Sequence, residues 1–200
     1  MNQQLEDIKA IRHLMEKSTK FLSLSGLSGV FAGITATIGA CVAYLFLLRD
    51  PSETNFNRIQ ELFILLGIAC SVLIISICFA VYFSWRKAKK NNEKLFNKLT
   101  IKILYHFSIP LIAGGIFSFI FLLRGDIEMV ASSTLIFYGL ALVNASKFTF
   151  DEIHYLGLTE VLLGILSAIF VCNGIIFWTI GFGICHIVYG LLMYRKYDIK

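Results

Sequence analysis

The amino-acid sequence predicts an all-α integral membrane bundle of six transmembrane helices. Three observations carry that prediction: long apolar runs nearly free of charge, few helix breakers, and basic residues gathered in alternate connections. With 57% hydrophobic and 16% charged residues and a mean hydropathy of +0.75, the chain falls outside the balance of soluble globular proteins. Two prolines stand against 18 Phe and 8 Tyr. A bilayer core of roughly 30 Å requires about 20 apolar residues per crossing. Lipid offers the backbone no hydrogen-bond partner, so each crossing must satisfy itself as a helix, and the period-two alternation of a membrane barrel is missing.

The runs lie near residues 22–48, 60–85, 101–123, 127–146, 154–172 and 175–194, so residues 22–194 form one transmembrane domain. Ahead of it, residues 1–21 carry Leu5, Ile8, Ile11 and Met15 at helical spacing between charges. That spacing predicts a cytoplasmic or interfacial amphipathic helix, and its mixed charge does not fit a signal peptide. Residues 195–200 read as a short tail on the same side, since six crossings return the chain to where it began. Fifteen Lys and Arg flank the spans on that side, seven of them in residues 86–102, against Arg49, Arg58 and Arg124 opposite. The bias places both termini in the cytoplasm, with Trp85 and Tyr194 at the inner interface and Trp178 near the outer one. Topology accounts for the formal charge of +5, and the basic residues lack the aromatic interleaving of an RNA-binding surface. The expected partner is the lipid bilayer, with a second copy or another membrane protein as a further candidate and no nucleic acid. Cys41, Cys70, Cys78, Cys172 and Cys185 all fall inside apolar runs as small hydrophobes, without the spacing of a disulfide framework or a zinc site.

The first span carries a stripe of small residues, Gly26, Gly29, Gly33, Ala36 and Ala40. Small residues four apart let helix backbones approach closely in lipid, so the stripe predicts packing within the chain, with a dimer face as the alternative. The odd spans share a Gly-x-x-x-small pattern at Gly39 and Ala43, Gly114 and Ser118, and Gly164 and Ala168. Even spans share Gly67-Ile68-Ala69, Gly139-Leu140-Ala141 and Gly181-Phe182-Gly183, which together predict three hairpin repeats in series. Between the third and fourth spans, Arg124-Gly125-Asp126 reads as a tight turn.

Ionisable groups inside spans are costly and are functional candidates. Glu160 lies six residues from the inner end of the fifth span, roughly 9 Å deep, and His186 eight residues from the inner end of the sixth, roughly 12 Å deep. Gly157, Glu160 and Gly164 share one helical face. Thr179, Gly183, His186 and Gly190 share another, which predicts that these faces meet and that Glu160 and His186 pair. His106 lies near the inner end of the third span. Pro110, four residues on, cannot donate to its carbonyl and leaves that carbonyl open to a partner. Asn144 and Lys147 complete a polar set whose members all lie in the cytoplasmic half.

Ile11-Arg12-His13-Leu14-Met15 through Ser25-Gly26-Leu27-Ser28-Gly29, and the stretch from Gly181 to Gly190 with Cys185-His186 at its centre, resemble a family of uncharacterised bacterial six-pass membrane proteins. The three-hairpin layout is similar to that of the HdeD-like acid-resistance membrane proteins. The resemblance implies a bacterial inner membrane and no catalytic residues to carry over.

The residues therefore predict a non-enzymatic inner-membrane protein that handles a small solute or protons, or senses the membrane, through a polar cavity at the cytoplasmic half. A structural or accessory subunit of a membrane assembly is the alternative. A third reading, with His106 and His186 as haem or metal ligands, lacks further histidines at depth and any metal-binding or hydrolase motif, so no cofactor or metal is expected.

Overall fold

In a computed structural model, residues 24–47, 57–92 and 96–199 are described. The expected helix over residues 1–21 lies outside them. Among the described residues six helices are long and apolar enough to cross a membrane. They are α1 (Gly26–Leu47), α2 (Arg58–Lys90), α3 (Lys98–Arg124), α4 (Ile127–Ser146), α5 (Asp151–Ile169) and α6 (Val171–Asp198). The protein is an all-α, multi-pass membrane bundle.

α2, α3 and α6 extend past their apolar windows, whereas α4 coincides with its own. At 33 residues α2 is about 50 Å long, more than a bilayer core of roughly 30 Å requires, and its last turn carries Lys87, Lys89 and Lys90. Asn97 starts α3 by accepting from Thr100 N–H at 2.8 Å. Gly125, at φ 82°, ends α3: its N–H reaches Leu122 O and that of Asp126 reaches Phe121 O, so the tight turn is a left-handed helix cap that only glycine enters without strain.

α6 departs most from the sequence expectation. It opens as a 3-10 turn at Val171–Asn173 and widens to a π-helix over Thr179–Cys185. After an α-helical stretch over His186–Met193 it widens again over Tyr194–Asp198. Residues 195–198 thus continue the helix.

α4 lies between α3 and α5, α6 closes against α4 and α5, and α1 lies against α6. The widest flank left over belongs to α2, which packs chiefly on α1. The glycine stripe of α1 is taken up inside the chain. Gly26, Gly29 and Gly33 lie against the backbone of α6 near Tyr194, Gly190 and Gly183, and any Cβ at Gly33 would stand 2.6 Å from Gly183 O. That contact occupies the face which could otherwise have served a dimer. Gly39 and Gly114 receive Val72 and Phe137 from the next helix, as a hairpin repeat expects, whereas Gly164 receives Leu135 and Ile136 from the preceding helix, α4. Packing therefore follows the repeat in the first two hairpins and breaks from it in the third.

Candidate functional site

Glu160 sits at the middle of α5, nine residues from Asp151, about 14 Å along the helix. Since α5 begins at Asp151 and α6 runs to Asp198, the site lies at the centre of the bundle, deeper than the window edges at 154 and 194 implied. Glu160 is 0% exposed and His186 6%.

The structure places Glu160 Oε1 3.3 Å from His186 Nδ1. Nδ1 also lies 3.0 Å from Gly181 O, and Nε2 lies 2.9 Å from the Tyr138 hydroxyl. A carbonyl can only accept, so Nδ1 carries a hydrogen and donates it to Gly181 O. In the neutral ring Nε2 then accepts from Tyr138 O–H, and after protonation it donates to the same oxygen. Tyr138 can satisfy both states of the imidazole.

Among the described residues neither Glu160 oxygen has a hydrogen bond, because the Nδ1 hydrogen is aimed at Gly181 and the 3.3 Å approach is a contact between the two groups only. The carboxyl group fits because Gly181 has no side chain: a Cβ there would collide with Glu160 Oε2 and with Leu135 Cδ2. The local backbone explains the rest. His186 N–H bonds to Gly183 O at the end of the π segment, while its ring bonds to the carbonyl of Gly181.

The pairing follows a route different from the one the helical faces suggested. Gly157 and Gly164 face α4, against Gly139, Val143, Leu135 and Ile136, while Gly183 and Gly190 face Thr37, Gly26, Gly29 and Val30 of α1. The wide π turn rotates His186 off the Gly183 face and towards α4 and α5.

No family model, curated protein or solved structure matches the chain. Its chemistry has to be read from its own residues.

His106 and Asn144 form a separate cluster on the α3–α4 seam. Asn144 Nδ2 donates to His106 O at 2.8 Å, taking the carbonyl that Pro110 leaves without its helical donor. The His106 ring stacks on Phe148 with centroids 5.1 Å apart, whereas the His186 ring lies over Tyr138 and Phe182, so the two imidazoles belong to different clusters. Lys147 is exposed. Among the described residues no three His, Cys, Asp or Glu groups come together as metal ligands.

Two participants escaped the sequence reading. Tyr138 was readable in part, since a phenol in mid-span needs a partner and few polar groups are within reach. Asp198 was not. It lies where a free tail was expected, yet its Oδ2 accepts from Ser25 Oγ at 2.8 Å and Gly26 N at 3.0 Å, and its Oδ1 stands 2.7 Å from Lys87 Nζ.

Proposed function

We propose that this chain is a non-enzymatic, proton-responsive membrane protein in which the Glu160–His186–Tyr138 cluster holds the bundle closed until its proton count changes. Glu160 itself carries the reading: it is 0% exposed, with no hydrogen bond to either oxygen and an imidazole 3.3 Å away. An isolated charge in such a setting is very costly, so the pair is neutral as a whole, either acid beside imidazole or carboxylate beside imidazolium. Gain or loss of one proton leaves a net charge at the bundle centre. The packing around it must then loosen or admit water, which turns a proton into a conformational signal.

The seal around the pair favours this gated response over a standing solute path at the cytoplasmic half. The titratable groups beside the pair are Tyr138 on α4 and Cys185 on α6, while α1 contributes only Cys41 and Tyr44, both exposed and towards its far end. We place the termini in the cytoplasm on the strength of the basic flanks, and the protein in a bacterial inner membrane on its sequence resemblance alone. Labelling of Gly125→Cys from outside and Asn91→Cys from inside tests that orientation.

The functional test is an infrared titration of the protein in liposomes between about pH 5 and 8, where histidine chemistry operates. Wild type should show a carboxyl band that moves with pH and is absent from Glu160→Gln, and its thermal midpoint should follow pH more steeply than the variant's. Identical pH dependence in the two proteins would sink the reading.

An accessory-subunit role draws on α2, whose most apolar window has 0% of its residues buried and which exposes Phe63, Ile74 and Tyr82. Cross-linking from Ile74→Cys in native membranes tests it, and capture of no neighbour would discard it.

A further inference from the structure

The two flanks of Glu160 are built differently. Towards the termini, the pair abuts the main apolar cluster, Leu142, Phe150, Ile153, Leu156 and Met193, with Tyr138 and Cys185 packed directly against it. Towards the opposite end, one turn along α5, lies Gly164, packed by Ile136 Cγ1 and Leu135 Cβ, and Leu135, itself 0% exposed, reaches Gly181 with its Cδ2.

Beyond Leu135 the lining turns small and hydroxylic. Ser132 donates to Gly164 O at 3.0 Å. Ser167, two turns from Glu160 on the same face of α5 and about 10 Å along its axis, is 0% exposed, and its hydroxyl has no hydrogen-bond partner among the described residues. The bare side of Gly174 looks onto Ser167 Oγ, Ala131 and the Glu128 carbonyl. Glu128, with Gly125, Asp126, Met129 and Val171, lines an open hollow at that end of the bundle. A buried hydroxyl and a buried carboxyl, neither with a hydrogen bond among the described residues, set in line with an open hollow that Asp126 and Glu128 share with Phe121 and Ile127, make the arrangement that a short water file would complete.

We propose that the Glu160–His186 pair exchanges its proton with the end of the bundle opposite the termini, past Ser132 and Ser167 to the Glu128 hollow, with Leu135 as the closure. This reverses the side on which the sequence placed the opening. It rests on the proton-responsive reading above and adds to it a direction and a gate. When the end of the Leu135 side chain swings off Gly181, water reaches the carboxyl group from the Ser167 side. The proton then passes to that water, and the pair is left with one proton fewer. The apolar cluster keeps the other flank dry throughout.

The experiment uses the full-length chain in liposomes with its five cysteines replaced by alanine, into which Ser167→Cys, Ser132→Cys or Ile153→Cys is introduced. A small charged thiol reagent is applied to each side in turn. Ser167→Cys and Ser132→Cys should react from the side opposite the termini, and adding Leu135→Ala should speed that reaction several-fold. Ile153→Cys should stay unreactive from the side of the termini. Labelling of Ile153→Cys from that side, or of the two serine positions from that side alone, would overturn the route. Unchanged labelling on Leu135→Ala would overturn the gate. Should Leu135→Ala fail to fold, Leu135→Val trims the same side chain and takes its place. Reagent access is read without any proton movement, so a positive map with a flat infrared titration would sink the functional reading while the water path stood. A pH-dependent Glu160 band with access only from the side of the termini would do the reverse.

Discussion

Where α1 begins and α6 ends, the Asp198 carboxylate meets Ser25, Gly26 N–H and Lys87, and Lys87 Nζ in turn donates to Leu24 O at 2.8 Å. At the centre, the Glu160 carboxyl group meets one imidazole hydrogen that is already engaged elsewhere. Both clusters tie α6 to its neighbours. The first spends its polar groups on closure: Asp198 Oδ2 accepts from the Gly26 N–H that begins α1, while Oδ1, which has no hydrogen bond among the described residues, is paired with the Lys87 ammonium. The second leaves polar capacity unused at the most costly depth, and groups buried in that state point to function more than to stability.

The contrast is broken most forcefully by filling the space that lets the central pair exist. Gly181→Ala puts a Cβ into Glu160 Oε2 and Leu135 Cδ2, both on side chains that are 0% exposed. A loss of about 3 kcal/mol, at the upper end of the cost of overpacking, is expected in reversible unfolding from mild detergent. Gly67→Ala, where a Cβ meets nothing within 4 Å, should match or exceed wild type by up to about 1 kcal/mol from helix propensity. Equal effects at the two glycines would remove the argument for a tightly fitted centre.

Next in size is the pair itself. His186→Ala strips Glu160 of its one counter-group and should cost about 2–3 kcal/mol, as a buried polar group without a partner does. Because Glu160→Ala removes the same need, the double variant should fall short of the sum of the single ones by about 1–3 kcal/mol. Additive losses in the unfolding cycle would mean that the 3.3 Å approach carries no energy.

The sequence made some of this legible and hid the rest for physical reasons. Span number and helix class follow from hydropathy and backbone satisfaction, which act locally. Asn144 meeting the His106 carbonyl was readable in outline, since Pro110 advertises a missing donor at a known position. The meeting of Glu160 and His186 was readable from level and residue type. Its surroundings were not, because the π segment at Thr179–Cys185 adds a wide turn that a 3.6-residue period cannot foresee, and it moved Gly183 to one neighbour and His186 to another. The burial of Ser167 and the plug at Leu135 depend on which helix α5 faces. α5 faces α4 across the hairpin boundary, where the repeat had put α6.

The terminal cluster gives a smaller effect. Asp198→Ala removes a cap and an ion pair between side chains only 9% and 11% exposed, and should cost about 1–2 kcal/mol in the same unfolding assay. Glu160→Gln, which keeps shape and drops charge, should alter pH dependence far more than Asp198→Asn does. A steeper pH response lost in Asp198→Asn would move the functional site to the terminal end.

The smallest expected effect separates contact length from energetic weight. Lys196 Nζ approaches Glu152 Oε1 at 2.6 Å, shorter than any approach to Glu160, yet the lysine side chain is 61% exposed. Water and salt compete fully there, and holding a long side chain in one geometry costs entropy, so Lys196→Ala should leave the unfolding midpoint unchanged at physiological salt. Glu152 keeps a second donor in Tyr197, whose hydroxyl lies 3.0 Å from Oε2 and whose ring stacks on Phe150 at 4.0 Å. Tyr197→Phe retains the stacked ring and removes that half-buried hydrogen bond, so it should lower the midpoint measurably where Lys196→Ala does not. The opposite ranking would show that charge at the terminal rim, rather than burial, sets the strength of this closure. The Asp198 cluster would then have to be read as an electrostatic surface open to salt instead of a sealed cap.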